Sequence, residues 1–159
     1  MKFCTTVFLS LCLALVIGCG VEGWNTTYST LTVNGTAMKL ATHSGFYTVI
    51  GKAYTIEFFL NPDSSDLKSG ISFGLPTDVK SGQILTQDTV SWYMKMSYYD
   101  ANGVMYGGSA AGSTFTITVT NWPGKGANAT GTYSATLKTE DGTNQVVITN
   151  GQFTGWIYN

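Results

Sequence analysis

The chain reads as a single all-β domain, an antiparallel β-sandwich or jelly-roll-like double sheet of about ten short strands. Three observations carry this reading. Beyond residue 24, apolar residues alternate with polar ones at a period of two in one run after another, and no window holds a convincing 3.6-residue apolar period. The runs are short and separated by Gly, Asn, Asp and Pro, the residues that punctuate strands. Only 11% of the residues are charged, and the polar surface falls to Thr, Ser, Asn and Gly, of which Thr suits a half-buried pleat. A closed barrel is the alternative topology that the same pattern allows.

The elements follow in order. Segments 28–33 and 36–42 flank Asn34 and Gly35, a pair favoured in two-residue hairpin turns because both positions need positive φ. Segments 46–50 and 53–60 flank Gly51 and Lys52; the second alternates Tyr54, Ile56, Phe58 and Leu60 against Thr55 and Glu57, with Phe59 out of pattern. Asn61 and Pro62 end it, since proline cannot donate to a ladder, and 63–70 is loop. Strands are expected at 71–75, closed by Pro76, and at 83–86. A longer one, 90–99, alternates Trp92, Met94, Met96 and Tyr98 with Tyr93, Lys95, Ser97 and Tyr99.

The larger apolar load assigns the first of these two faces to the core. Residues 100–103 form a turn into 104–107. Segment 114–120 alternates cleanly through Phe115, Ile117 and Val119. After a turn at 121–124, strands at 131–139 and 145–149 form a hairpin around Glu140, Asp141 and Gly142, and 152–158 is a last strand.

Before the domain, Lys2 is followed by a largely apolar run from residue 3 to 17 and then by Gly18, Cys19 and Gly20. That order matches the charged, apolar and small-residue regions of an export signal, and the run is short for a membrane span. Val16, Ile17, Gly18 and Cys19 resemble the lipobox of bacterial lipoproteins. The resemblance implies cleavage before Cys19, acylation of its thiol and a membrane partner held through that lipid, two or more acyl chains giving stable anchoring. Gly20 in place of Asp implies an outer-membrane or cell-surface location in a bacterium with two membranes. The chain then divides into a signal peptide over 1–18, a lipidated N-terminus and tether over 19–27, and one domain over 28–159.

Cys4 and Cys12 leave with the signal, so the domain holds no disulfide or thiolate chemistry. Further on, the strings GQILT, TFTITVTNW and GTYSATLKTEDGTNQVVITNGQF, within residues 82–153, resemble small secreted bacterial lipoproteins with a β-sandwich domain and no assigned function.

Composition excludes some partners. All eight basic residues are Lys and the formal net charge is −1, so nucleic-acid binding through phosphate neutralisation has nothing to act through. The only histidine is His43, beside Ser44 and Gly45, with no nucleophile elbow or paired metal histidine. Glu57 stands alone inside a strand, whereas a glycosidase needs two facing acids. No enzyme activity and no cofactor are expected.

Asp63 and Asp66 in one loop, and Asp100 and Asn102 in another, are weak calcium candidates that fall short of a dedicated oxygen cage. Turn chemistry is the favoured explanation of both loops. The Asn-x-Thr triplets at Asn25, Asn34 and Asn128 are discounted beside a lipobox. What is left is aromatic: all four Trp and all nine Tyr lie after residue 19.

If the 90–107 hairpin turns on two or four residues, Tyr99 and Tyr106 share its outer face. With Tyr93 and Lys95 they then offer a ring platform for a sugar or peptide, although packing and cross-strand pairing are the ordinary role of such rings. A three-residue bulged turn reverses that relation. The expected function is a non-catalytic, surface-anchored binding module for glycan or protein; the alternative is a structural envelope component without a soluble ligand.

Overall fold

The structure, a computed structural model, describes residues 28–42, 47–49, 53–59, 69–124 and 126–157. The expected export signal, Cys19, His43, Asp63 and Asp66 lie outside the described residues. Within them the chain forms eleven strands and one short 3-10 turn, and every pairing is antiparallel. The all-β double-sheet expectation therefore holds, in a version that comes close to a barrel.

Strands β1 (Tyr28–Val33) and β2 (Thr36–Thr42) form the expected hairpin. Its turn residues, Asn34 at φ 46° and Gly35 at φ 85°, are both left-handed, which matches the twist of the flanking strands. Next come β3 (Tyr47–Val49), β4 (Ala53–Phe59) and β5 (Gly70–Pro76). Strand β4 pairs with β2, β3 and β5.

The short β6 (Ile84–Thr86) precedes β7 (Ser97–Tyr99) and β8 (Met105–Gly107), a hairpin on β5. The C-terminal third supplies β9 (Thr114–Asn121), β10 (Asn128–Lys138) and β11 (Gln145–Trp156). Strand β10 pairs with both of the others, and β6 extends this sheet along β9.

The last strand lies beside the first. β1 pairs with β11, and β8 meets β10 through the single pair Lys138–Gly107. Eight strands thus follow one another around a nearly closed circuit, β11, β1, β2, β4, β5, β7, β8 and β10. The two halves pack face to face: Phe73 on β5 meets Tyr133 on β10 at 5.6 Å between ring centroids and Phe153 on β11 at 5.3 Å, although β5 pairs with neither strand. Leu40, Phe58, Leu75, Met96, Ile117, Leu137 and Ile148 fill the space between, each contributing about 1.5–3 kcal/mol of burial.

Two expected elements change. Segment 90–99 is not one strand. Residues Trp92–Met94 form a 3-10 turn and pairing begins only at Ser97. The cause is Gly74 on β5: the Cα and Cγ of Met94 lie 2.8 and 2.9 Å from where a Cβ on Gly74 would stand, so the turn settles into the space that the missing side chain leaves. Met94, Met96 and Tyr98 are buried as expected, but Trp92 is 74% exposed.

The expected strands 145–149 and 152–158 are one continuous β11. Asn150, at φ 54°, is the extra residue of a bulge. There Ser134 faces two residues, because Tyr133 pairs with Gly151 and Ala135 with Ile148. A bulge bends a strand and leaves it paired, where a turn would end the pairing.

Candidate functional site

The geometry of the β7–β8 hairpin decides the expected ring platform. Asp100 N–H donates to the Val104 carbonyl (3.1 Å) and Gly103 N–H to the Asp100 carbonyl (3.0 Å), with Gly103 at φ 77°. This is a three-residue loop with a glycine bulge, and it sets Tyr98 opposite Tyr106 and Tyr99 opposite Met105.

The expectation that Tyr99 and Tyr106 share the outer face is therefore corrected. Tyr106 turns inward beside Tyr98, with ring centroids 6.1 Å apart, and packs against the core. Tyr99 turns outward and its hydroxyl donates to the Met105 Sδ at 3.4 Å. Tyr93 belongs to the 3-10 turn, and Lys95 follows it half-buried. Tyr99 and Tyr106 therefore do not share one surface. Burial, then the Asp100 charge, then Tyr106 push the Tyr98 hydroxyl above its usual range.

The Asp100 carboxylate is engaged by its own turn. Its Oδ1 accepts from the N–H groups of Asn102 and Val104, both at 2.9 Å. Asp141 does the same in the 139–144 hairpin, accepting from the Thr139 hydroxyl (2.5 Å) and the Thr143 N–H (3.0 Å). These contacts, that of Thr139 foremost, hold its carboxyl below the usual value. Among the described residues no group of three or more His, Cys, Asp or Glu could hold a metal ion.

A different surface emerges from the register. On the outer face of β6, β9, β10, β11, β1 and β2, cross-strand partners form one unbroken row: Ile84, Thr118, Thr132, Gln152, Thr30 and Lys39. A second row begins beside it with Thr86, Thr116 and Ser134. The Asn150 bulge bends the sheet here. A depression of about 330 Å³ opens over the face, lined by Thr116, Thr118, Thr132, Ser134, Asn150 and Gln152 among others.

Between Ile84 and Lys39 no member of the row carries a charge. The sequence signal was present as Thr-x-Thr spacing in 30–32, 114–120 and 130–132, but spacing along a strand does not say which strands are neighbours.

The chain matches no protein-family model, no curated protein and no solved structure. Function is read from its own residues.

Proposed function

We propose that this protein is a lipid-anchored, non-catalytic binding module of the bacterial envelope, and that its ligand is a neutral glycan held on the hydroxyl-lined outer face. The carrying observation is the row Thr118, Thr132, Gln152 and Thr30, four aligned side chains that each donate and accept hydrogen bonds. Such groups match the hydroxyls of an uncharged sugar. An anionic ligand would call for opposing charge, and the chain has no arginine. The lipobox around Cys19 supports the anchoring, the envelope location and the membrane partner.

The test is binding of the purified full-length protein, in detergent, to immobilised dextran, xylan and cellulose. The expected result is retention on at least one, weakened about tenfold or more by the combined change Thr118→Val, Thr132→Val and Gln152→Leu, a loss of at least ~1.4 kcal/mol. Binding to none of them, or binding that this variant leaves intact, overturns the glycan reading. Intact mass of the N-terminal peptide tests the anchor, which requires an acylated Cys19.

A further inference from the structure

Past residue 19 the chain has no cysteine, and its sulfur is confined to four methionines, Met38, Met94, Met96 and Met105. The fold treats them differently. Met94 is 7% and Met96 0% exposed, and Met38 stands opposite the buried Leu31 and packs against the core. Met105, on β8, is 50% exposed.

The exposed side chain is held in place on the outer face of the β7–β8 hairpin. Tyr99, its directly opposed partner across the hairpin, donates its hydroxyl to the Met105 Sδ at 3.4 Å. On the other side, the Met105 Cε lies 3.4 Å from where a Cβ on Gly107 would stand. Residues two apart on a strand share a face, so the methyl settles over a position that has no side chain of its own. A thioether sulfur has two lone pairs. One accepts weakly from Tyr99, and the other is left to solvent.

We infer that Met105 is an oxidation site, a sulfur that takes one oxygen atom from hydrogen peroxide, and that Tyr99 is its positioning residue, directing the oxygen to one face of the sulfur. Access decides which methionine reacts, and Met105 alone combines access with a fixed orientation. The free lone pair attacks one peroxide oxygen: the S–O bond forms, the O–O bond breaks, and the leaving hydroxide takes the proton of the transferred oxygen through solvent and departs as water. Sulfur is oxidised and peroxide reduced, by two electrons. With the methylene, the methyl and the Tyr99-bound lone pair all fixed in direction, oxygen adds from one side and one sulfoxide epimer forms in excess.

The fold tolerates this product. Met105 lies outside the core, whereas an oxygen on Met94 or Met96 would be buried without a partner. Val104 beside it is exposed as well, so oxidation turns an apolar hairpin tip polar, and a sulfoxide reductase reverses the change. The site lies on strands other than those of the hydroxyl-lined face and depends on neither the glycan nor the lipid anchor.

The test treats the purified full-length protein with hydrogen peroxide and follows each methionine by peptide mass. The expected result is that Met105 converts nearly to completion before oxygen appears on Met38, Met94 or Met96, that all four react alike in urea, and that folded Met105→Leu takes up no oxygen over the same period. The Met105 peptide is then divided between two sulfoxide reductases, each specific for one epimer. One should restore most of the parent peptide and the other little, with the two nearly equal for Tyr99→Phe. Met38, Met94 or Met96 keeping pace with Met105 in the folded protein overturns the site. Equal epimers in the parent, or an excess that Tyr99→Phe retains, overturns the part assigned to Tyr99.

Discussion

The Tyr133 ring occupies the space that a side chain on Gly151, its directly opposed partner across β10 and β11, would need. Two positions away the arrangement is reversed, with Phe153 covering Gly131. An aromatic laid over a facing glycine fixes register, because sliding either strand by one residue would drive the ring into a side chain.

Gly151→Ala is expected to destabilise the protein by about 1–3 kcal/mol through overpacking. The added methyl would meet both the Tyr133 ring and the Tyr133 carbonyl, and backbone gives less readily than a flexible side chain. The urea midpoint of the variant measures this; an unchanged midpoint contradicts it.

Tyr133 also reaches over β11 to Ser29 on β1, hydroxyl to hydroxyl at 2.5 Å, both groups buried. Tyr133→Phe leaves the Ser29 oxygen unsatisfied, at an expected cost of about 1–3 kcal/mol. Adding Ser29→Ala to that variant should recover part of the loss. A strictly additive double-mutant cycle would show that the two hydroxyls do not interact.

The same burial gives a pH signature. It holds the Tyr133 hydroxyl well above its ordinary 10.0, the Ser29 hydrogen bond pulling it only partly back. In the unfolded chain the hydroxyl ionises near 10, so this contribution is whole below that pH and declines as pH rises above it, by about 1.4 kcal/mol per pH unit for one group. Urea midpoints compared at about pH 9 and about pH 11 should fall less steeply for Tyr133→Phe than for the parent.

In the β7–β8 hairpin, Tyr106→Ala is expected to cost more stability than Tyr99→Ala, roughly 2–4 kcal/mol against about 1 kcal/mol or less. Tyr106 packs against the core and Tyr99 lies outside it. Equal losses in thermal unfolding would place both rings alike and refute the register.

Asp100→Ala is expected to lower stability by about 1 kcal/mol, since one carboxylate oxygen serves two backbone donors. Millimolar calcium should leave the parent Tm unmoved. A rise in Tm with calcium that Asp100→Ala abolishes would make the turn a metal site.

Much of this fold was legible because local chemistry and tertiary structure agree, as at Asn34 and Gly35, where turn type and dipeptide specify each other. The failures share one cause. The alternation through Trp92 and Met94 could not reveal that Gly74, on a strand distant in sequence, leaves a space for Met94 and lifts Trp92 outward. Asn150 and Gly151 carry the chemistry of a turn and are used in a bulge, because β1 and β10 hold β11 on both sides. The expected tyrosine platform depended on loop length to a single residue. The hydroxyl row could not be read at all without knowing that Thr118, Thr132, Gln152 and Thr30 belong to adjacent strands.

The pairing of β1 with β11 has a consequence for how the molecule comes into being. Synthesis delivers β1 first and its partner last, so one edge of β1 waits for nearly the whole chain. The contacts that complete the circuit are among the most distant in sequence, which slows folding. No stable domain can form until β11 has been made, so the chain stays open for most of its synthesis. Loss of Gln145–Trp156 would then remove more than an edge: it would deprive β1 and β10 of their shared neighbour and leave the nascent domain without a native state to reach.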